Sequence, residues 1–325
     1  MPAAPADALI HIQNLTRRYG RRRGIQDVTL AVPEGALFGF LGPNGAGKTT
    51  TIRVLLGFLR PTSGHARIFG QDCWAHSAAI KRDIGYVPGD LRLPAWMTGR
   101  QALAIFGAVR RRDLTAHGRD LARRFELDLS VKVRSMSRGM RQKLGLILAL
   151  AHQPRLLILD EPTTGLDPLM QEQFRALLRE LATRGGHTIF FSSHTLSEVE
   201  QLCDRLAIVR DGRIVVDASL EELRRKAGHE VVIRWKDAQT SRQIQPPSFL
   251  AAVDRNGDRD TQWRCTIDGP LQPLLQWLAA QPAVEDLAIT RPDLETLFRR
   301  FYEPARPLQR PGLQFPQDTT PGGPS

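Results

Sequence analysis

The 325 residues are 42% hydrophobic, enough for one large globular domain and a smaller one. The longest apolar run near a helical segment, Leu144 to Ala151, falls far short of the about 20 residues a membrane span needs, and the start Met1 to Asp7 has neither the basic nor the apolar part of a secretory signal, so the expected location is the cytoplasm. Three scattered cysteines, without CxxC spacing or histidine pairs, exclude a disulfide framework and a zinc site, and the net charge of +11 leaves two readings open, a solvated arginine-rich surface or one facing an anionic partner.

In chain order, residues 9 to 19 and Ile25 to Val32 alternate apolar and polar side chains and predict an opening hairpin. Tyr19 at its turn is either a strand-end residue packed on its own domain or a platform for an adenine ring. The apolar strand Leu37 to Leu41 then leads into Gly42-Pro43-Asn44-Gly45-Ala46-Gly47-Lys48-Thr49-Thr50, and helical spacing follows from Thr50 to Leu59. Glycines in GxxxxGK[ST] let bare backbone N–H groups wrap a polyphosphate. The lysine, Lys48, reaches the β- and γ-phosphates, and the Thr49 hydroxyl holds Mg²⁺. The motif predicts a bound nucleotide with Mg²⁺.

Short strands at Ala66 to Gly70 and Ile84 to Val87 flank a helical piece, Ser77 to Arg82. Thr98 to about Leu129 reads as a helical insert interrupted near Asp113 to Gly118. Ser137 and Gly139 open a second apolar helix, running to about Ala151, and a helix start of this kind can bind an anion. The apolar run Leu156 to Leu159 ends in Asp160 and Glu161. At a strand's carboxyl end in a nucleotide-binding sheet, Asp160 suits Mg²⁺ through water, and Glu161 suits the base that orients an attacking water. After a helix over Pro168 to Thr183, the strand Thr188 to Phe191 ends in Ser192-Ser193-His194, which puts His194 where it can touch the γ-phosphate. Strands at Arg205 to Val209 and Ile214 to Val216 flank the Asp211-Gly212 turn, and Leu220 to Lys226 closes the domain as a helix.

This ordered set resembles the nucleotide-binding subunits of ABC transporters over roughly residues 8 to 227. Gly42 to Thr50 is similar to Walker A and Leu156 to Glu161 to Walker B. Gly165-Leu166-Asp167 resembles the D-loop, which adds Asp167 to the nucleotide site, and His194 resembles the switch histidine. Ser137-Arg138-Gly139-Met140-Arg141-Gln142 is a variant of the signature motif that keeps Ser137 and Gly139, the phosphate-facing pair in the family. The resemblance implies an α/β fold, a P-loop ABC-type ATPase domain with a helical subdomain at about 90–153. It also implies ATP as the bound nucleotide, a separate transmembrane permease subunit, an ATP-dependent homodimer on the inner face of the membrane and no nucleic acid. In that dimer Ser137 and Gly139 of one copy close over ATP held by Lys48 of the other. One departure stands out. Gly89 occupies the place of the family's Q-loop glutamine, and Asp90 is the expected replacement oxygen for the metal. Val87-Pro88-Gly89-Asp90 and the variant signature are similar to bacterial drug, antibiotic and polysaccharide-type exporters. The alternative is a soluble ABC ATPase acting on ribosomes or DNA, encouraged only by the positive charge.

Residues 229–303 predict a small C-terminal α+β accessory domain. Its strands are Val231 to Trp235, Leu250 to Asp254, Thr261 to Ile267 and Val284 to Thr290, with an Asn256-Gly257 turn. Its helices are Leu271 to Ala280 and Leu294 to Tyr302. Residues 304–325 are rich in proline and glycine and predict a disordered tail.

Overall fold

A computed structural model describes residues 8–20, 22–226, 228–255, 261–267 and 269–290. Strands β1 (Ala8–Tyr19) and β2 (Arg22–Pro33) form the expected hairpin. With β4 (Ser63–Ile68) and the short β5 (Gln71–Asp72) they make an antiparallel sheet in the order β2-β1-β4-β5. A second sheet runs β10-β9-β3-β8-β7-β6, from β3 (Leu37–Leu41), β6 (Ile84–Val87), β7 (Leu156–Asp160), β8 (Thr188–Ser193), β9 (Arg205–Arg210) and β10 (Arg213–Ser219). Its members pair in parallel except at the β9–β10 hairpin.

Both faces of the six-stranded sheet are covered, so its strands are apolar throughout rather than alternating. Phe38, Phe40, Ile158 and Phe190 point into a core shared with the antiparallel sheet and helix α1 (Lys48–Leu55). Phe190 stacks on Phe38 with centroids 5.9 Å apart and tilts against Phe40 at 5.0 Å. On the other face, Leu37, Leu41, Leu157, Leu159 and Phe191 meet α5 (Arg138–Leu150) and α6 (Pro168–Gly185). That core continues into the helical insert through Leu103 of α3 (Gly99–Arg110), Leu121 of α4 (Thr115–Arg124) and Phe125.

Three local expectations shift. Helix α1 starts at Lys48 rather than Thr50, because the glycine turn leads directly into its first residue, and it stops at Leu55 because Gly57 turns left-handed at φ 64°. The break in the insert falls at Arg111 to Leu114, earlier than Asp113 to Gly118, with Arg111 itself at φ 54°. The piece at Ser77 is α2 (Ser77–Ile80) followed by one 3₁₀ turn, Lys81–Asp83. Helices α7 (Leu196–Leu202) and α8 (Leu220–Lys226) complete this part.

The last sheet runs β12-β13-β11-β14, all antiparallel, from β11 (His229–Trp235), β12 (Leu250–Asp254), β13 (Gln262–Ile267) and β14 (Val284–Thr290). Helix α10 (Gln272–Ala279) covers it with Leu274 and Leu278, around the ring cluster Trp235, Trp263 and Trp277. Helix α9 (Ala238–Gln243) was not foreseen; Asp237 caps it, and its Ser241 accepts the Trp263 indole N–H at 2.8 Å. The Asn256-Gly257 turn, the helix at Leu294 to Tyr302 and residues 304–325 lie outside the described residues.

Candidate nucleotide site

The glycine-rich turn sits between β3 and α1 at the carboxyl edge of the parallel strands, where ligands of open α/β sheets bind. Two of its glycines are required by space. A Cβ on Gly42 would lie 2.5 Å from the Val209 carbonyl oxygen, and one on Gly47, at φ 111°, would lie 2.7 Å from Ile25 Cγ2. The β9–β10 turn braces the loop from outside: Gly212 N–H donates to Ala46 O at 2.9 Å, and Gln26 N–H donates to Gly212 O at 2.7 Å. Ala46 N–H closes the turn onto Pro43 O at 3.1 Å, Gly45 takes φ 81°, Asn44 is exposed, and Thr50 lies in the first turn of α1.

Lys48 is buried, and its Nζ donates to Gly42 O at 2.6 Å and Pro43 O at 3.2 Å, so the ammonium is curled under its own loop. It also lies 3.2 Å from Glu161 Oε1, and the other oxygen of that carboxylate lies 3.3 Å from His194 Nδ1. Glu161 thus joins lysine and histidine across the ends of three parallel strands. Its backbone, at φ 51°, is in the left-handed region, which turns the chain out of β7 immediately after the buried Asp160.

Asp160 has both oxygens engaged. Thr49 Oγ1 donates to Oδ2 at 2.9 Å and Ser192 Oγ to Oδ1 at 2.7 Å. Sequence reasoning quoted Ser192 but gave it no role. In the structure it ties Asp160 and also receives the Glu161 N–H on its backbone oxygen at 3.1 Å. Gln142, likewise unassigned, reaches from α5 to donate to Pro162 O at 2.9 Å and anchors the segment after the two acids. Tyr86 at the cleft wall has its hydroxyl pushed up to about 12 by burial and then by the Asp160 charge, so it stays protonated there.

The remaining expected residues take separate positions. Tyr19 is partly exposed and packs over Gly24, whose carbonyl borders Gly47, and the Arg17 guanidinium lies 5.4 Å from its ring. Ser137 caps α5 by accepting the Met140 N–H at 3.2 Å, and a Cβ on Gly139 would come 3.4 Å from Gly165 O. Asp167 caps α6 through the Met170 N–H at 3.0 Å. Asp90 lines a cleft of about 660 Å³ together with Asn44, Thr49, Asp160 and Glu161, but its carboxylate is held by Arg92 at 2.8 Å. The structure therefore joins Lys48, Thr49, Asp160, Glu161 and His194 in one network, while Tyr19, Ser137, Gly139 and Asp167 stay outside it.

Residues 25–164 match the family model described as "ABC transporter". The chain is 38% identical over 224 residues to the bacitracin transport ATP-binding protein BcrA of Bacillus licheniformis, covering 67% of this chain and 72% of that one. It is 33% identical over 306 residues to the daunorubicin resistance ATP-binding protein DrrA3 of Streptomyces coeruleorubidus, covering 90% and 95%. Among solved structures, an ATP-binding subunit of an ABC transporter superposes with a TM-score of 0.63 at 30% identity, covering 67% of this chain and 92% of that one. With the phosphate loop, paired acids and histidine gathered at one sheet edge, these likenesses establish that the chain belongs to the ATP-binding, ATP-hydrolysing subunits of ABC transporters.

Proposed function

We propose that the chain energises the export of a drug- or antibiotic-type cargo through a separate transmembrane permease subunit, as an ATP-dependent homodimer on the inner face of the membrane. The observation that carries the chemical part is the Lys48–Glu161–His194 contact beside the Thr49–Asp160–Ser192 contact. The transport part is supported by the names of the relatives, given for bacitracin transport and daunorubicin resistance. Those names do not favour a soluble ATPase on ribosomes or DNA. Among the described residues no helix is long and apolar enough to cross a membrane, which fits a division of labour with a permease.

In this mechanism the phosphates lie along the N–H groups of Gly45 to Thr50, with Lys48 against the β- and γ-phosphates. Tyr19 stacks on the adenine. Glu161 accepts a proton from the attacking water, and His194 holds the carboxylate and the γ-phosphate in register. Thr49 and Asp160 suit Mg²⁺, because a hydroxyl and a carboxylate already within 2.9 Å of each other form a hard-oxygen donor set. Asp90, which also lines this cleft, would be a further oxygen donor toward the ion if released from Arg92. The ion when bound supplies charge neutralisation on the β- and γ-oxygens. In the closed dimer, Ser137, Gly139 and Asp167 of one copy face the nucleotide of the other.

The test is Mg²⁺-dependent ATP hydrolysis by the purified chain beside Glu161→Gln. Loss of turnover by about a hundredfold or more, with ATP still bound and a dimer trapped, is the expected result. Equal turnover in the two proteins would remove Glu161 from the chemistry.

A further inference from the structure

The cleft of about 660 Å³ beside the phosphate loop is lined by Arg138 together with Asn44, Thr49, Asp160 and Glu161 of the same chain. Ser137 and Gly139, on either side of it in sequence, do not line the cleft. Arg138 is also fixed along its stem. A Cβ on Gly165 would lie 2.8 Å from Arg138 Cδ and 2.9 Å from its Nε, so the arginine lies flat on the Gly165 backbone, and Gly165 at φ 86° leaves it that room. Of the three arginines that line the cleft, Arg92 is paired with Asp90, whereas Arg53, in the last turn of α1, and Arg138 enter no ion pair among the described residues; of these two, Arg138 is the one whose stem is fixed on Gly165. A guanidinium placed in this way, beside carboxylates that a bound metal would neutralise, is a ready partner for a phosphate oxygen, which arginine engages with two parallel N–H donors.

We propose that Arg138 contacts the terminal phosphate of the nucleoside triphosphate held by its own chain, and so distinguishes triphosphate from diphosphate, while its neighbours Ser137 and Gly139 serve the other copy. This rests on the nucleotide-site reading above. It gives the signature loop a link to both nucleotides of the dimer, one through alternate residues and one through Arg138.

Binding of ATP and of ADP to the full chain, by competition with a fluorescent nucleotide in a Glu161→Gln background, tests it. Arg138→Met keeps the stem on Gly165 and removes the charge. It is expected to weaken ATP about ten- to a hundredfold while ADP changes less than about threefold, with Arg138→Lys in between. Equal losses for both nucleotides, or none, would overturn the assignment. Mixing Arg138→Met chains with Lys48→Ala chains, both with Glu161 intact, separates the two copies. If Arg138 serves its own chain no mixed site is complete and hydrolysis stays low, whereas recovery on mixing would place Arg138 on the partner's nucleotide and defeat the proposal. A chain carrying Glu161→Gln alone that binds neither nucleotide would overturn the site reading itself, and this proposal with it.

Discussion

Ser192 shows how much of the site depends on a single hydroxyl that no motif marks. Its Oγ donates to Asp160 Oδ1 at 2.7 Å, so Ser192→Ala leaves a buried carboxylate oxygen short of a partner, while the Glu161 N–H keeps its bond to the residue 192 carbonyl at 3.1 Å. We expect a loss of about 1–3 kcal/mol in urea unfolding, together with slower hydrolysis as Asp160 loosens. The phosphate loop was legible because its chemistry is local: glycines, lysine and threonine act within one turn. Ser192 was not, because its partner lies on the neighbouring strand and only the β7–β8 register, Asp160 opposite Ser192, brings them together. For the same reason Glu161 and His194 could be proposed from their strand ends, whereas the Lys48 bond to its own loop carbonyls required coordinates.

At the level of elements, the join between the helical insert and the sheet edge depends on carbonyl groups at the start of β6. Arg110 of α3 donates to the carbonyls of Lys81, Arg82 and Ile84, and His152, just beyond α5, meets Ile84 O at 3.1 Å. Burial, and then the Arg110 guanidinium, pushes the His152 imidazole down from 6.5 to about 4; Arg112 acts the same way, against the Ile84 hydrogen bond and Asp83. The unfolded chain therefore takes up its proton first as pH falls. Stability from a neutral His152 is fully present above about pH 6.5 and is lost towards pH 4, by about 2 kcal/mol between pH 7.5 and 5. Unfolding free energies from urea titrations at those two pH values should differ by that much more in the wild type than in His152→Gln. Strand and helix identities here were readable from runs such as Leu156 to Leu159, where continuous apolarity means burial on both faces. Helix α9 was not readable, since Ala238 to Gln243 has no apolar period and exists through the Asp237 cap.

For the whole molecule, the C-terminal sheet has a core drawn only from its own residues, Val231 to Ile289, with three tryptophans packed on one another. A unit that closes its own core does not lend apolar surface to the phosphate loop. Ending the chain at residue 227 is therefore expected to leave ATP affinity within about threefold of the full chain, measured by the same competition assay; loss of binding would show that the sheet supports the site. The net charge of +11 left its two partner readings open because charge counts carry no topology. What the fold adds is that one of those arginines, Arg138, faces the nucleotide cleft.

Gly89, where the family resemblance calls for glutamine, lies against the end of β7: a Cβ there would come 3.1 Å from the Asp160 carbonyl oxygen. Asp160 has little freedom to retreat, because Thr49 and Ser192 hold its carboxylate from two sides. Gly89→Gln should therefore reduce stability by about 1 kcal/mol and raise no activity, as seen by thermal melting and ATP turnover. A side chain at position 89 therefore asks the end of β7 to give by a few tenths of an ångström, at the one residue whose carboxylate is already tied to both the phosphate loop and β8.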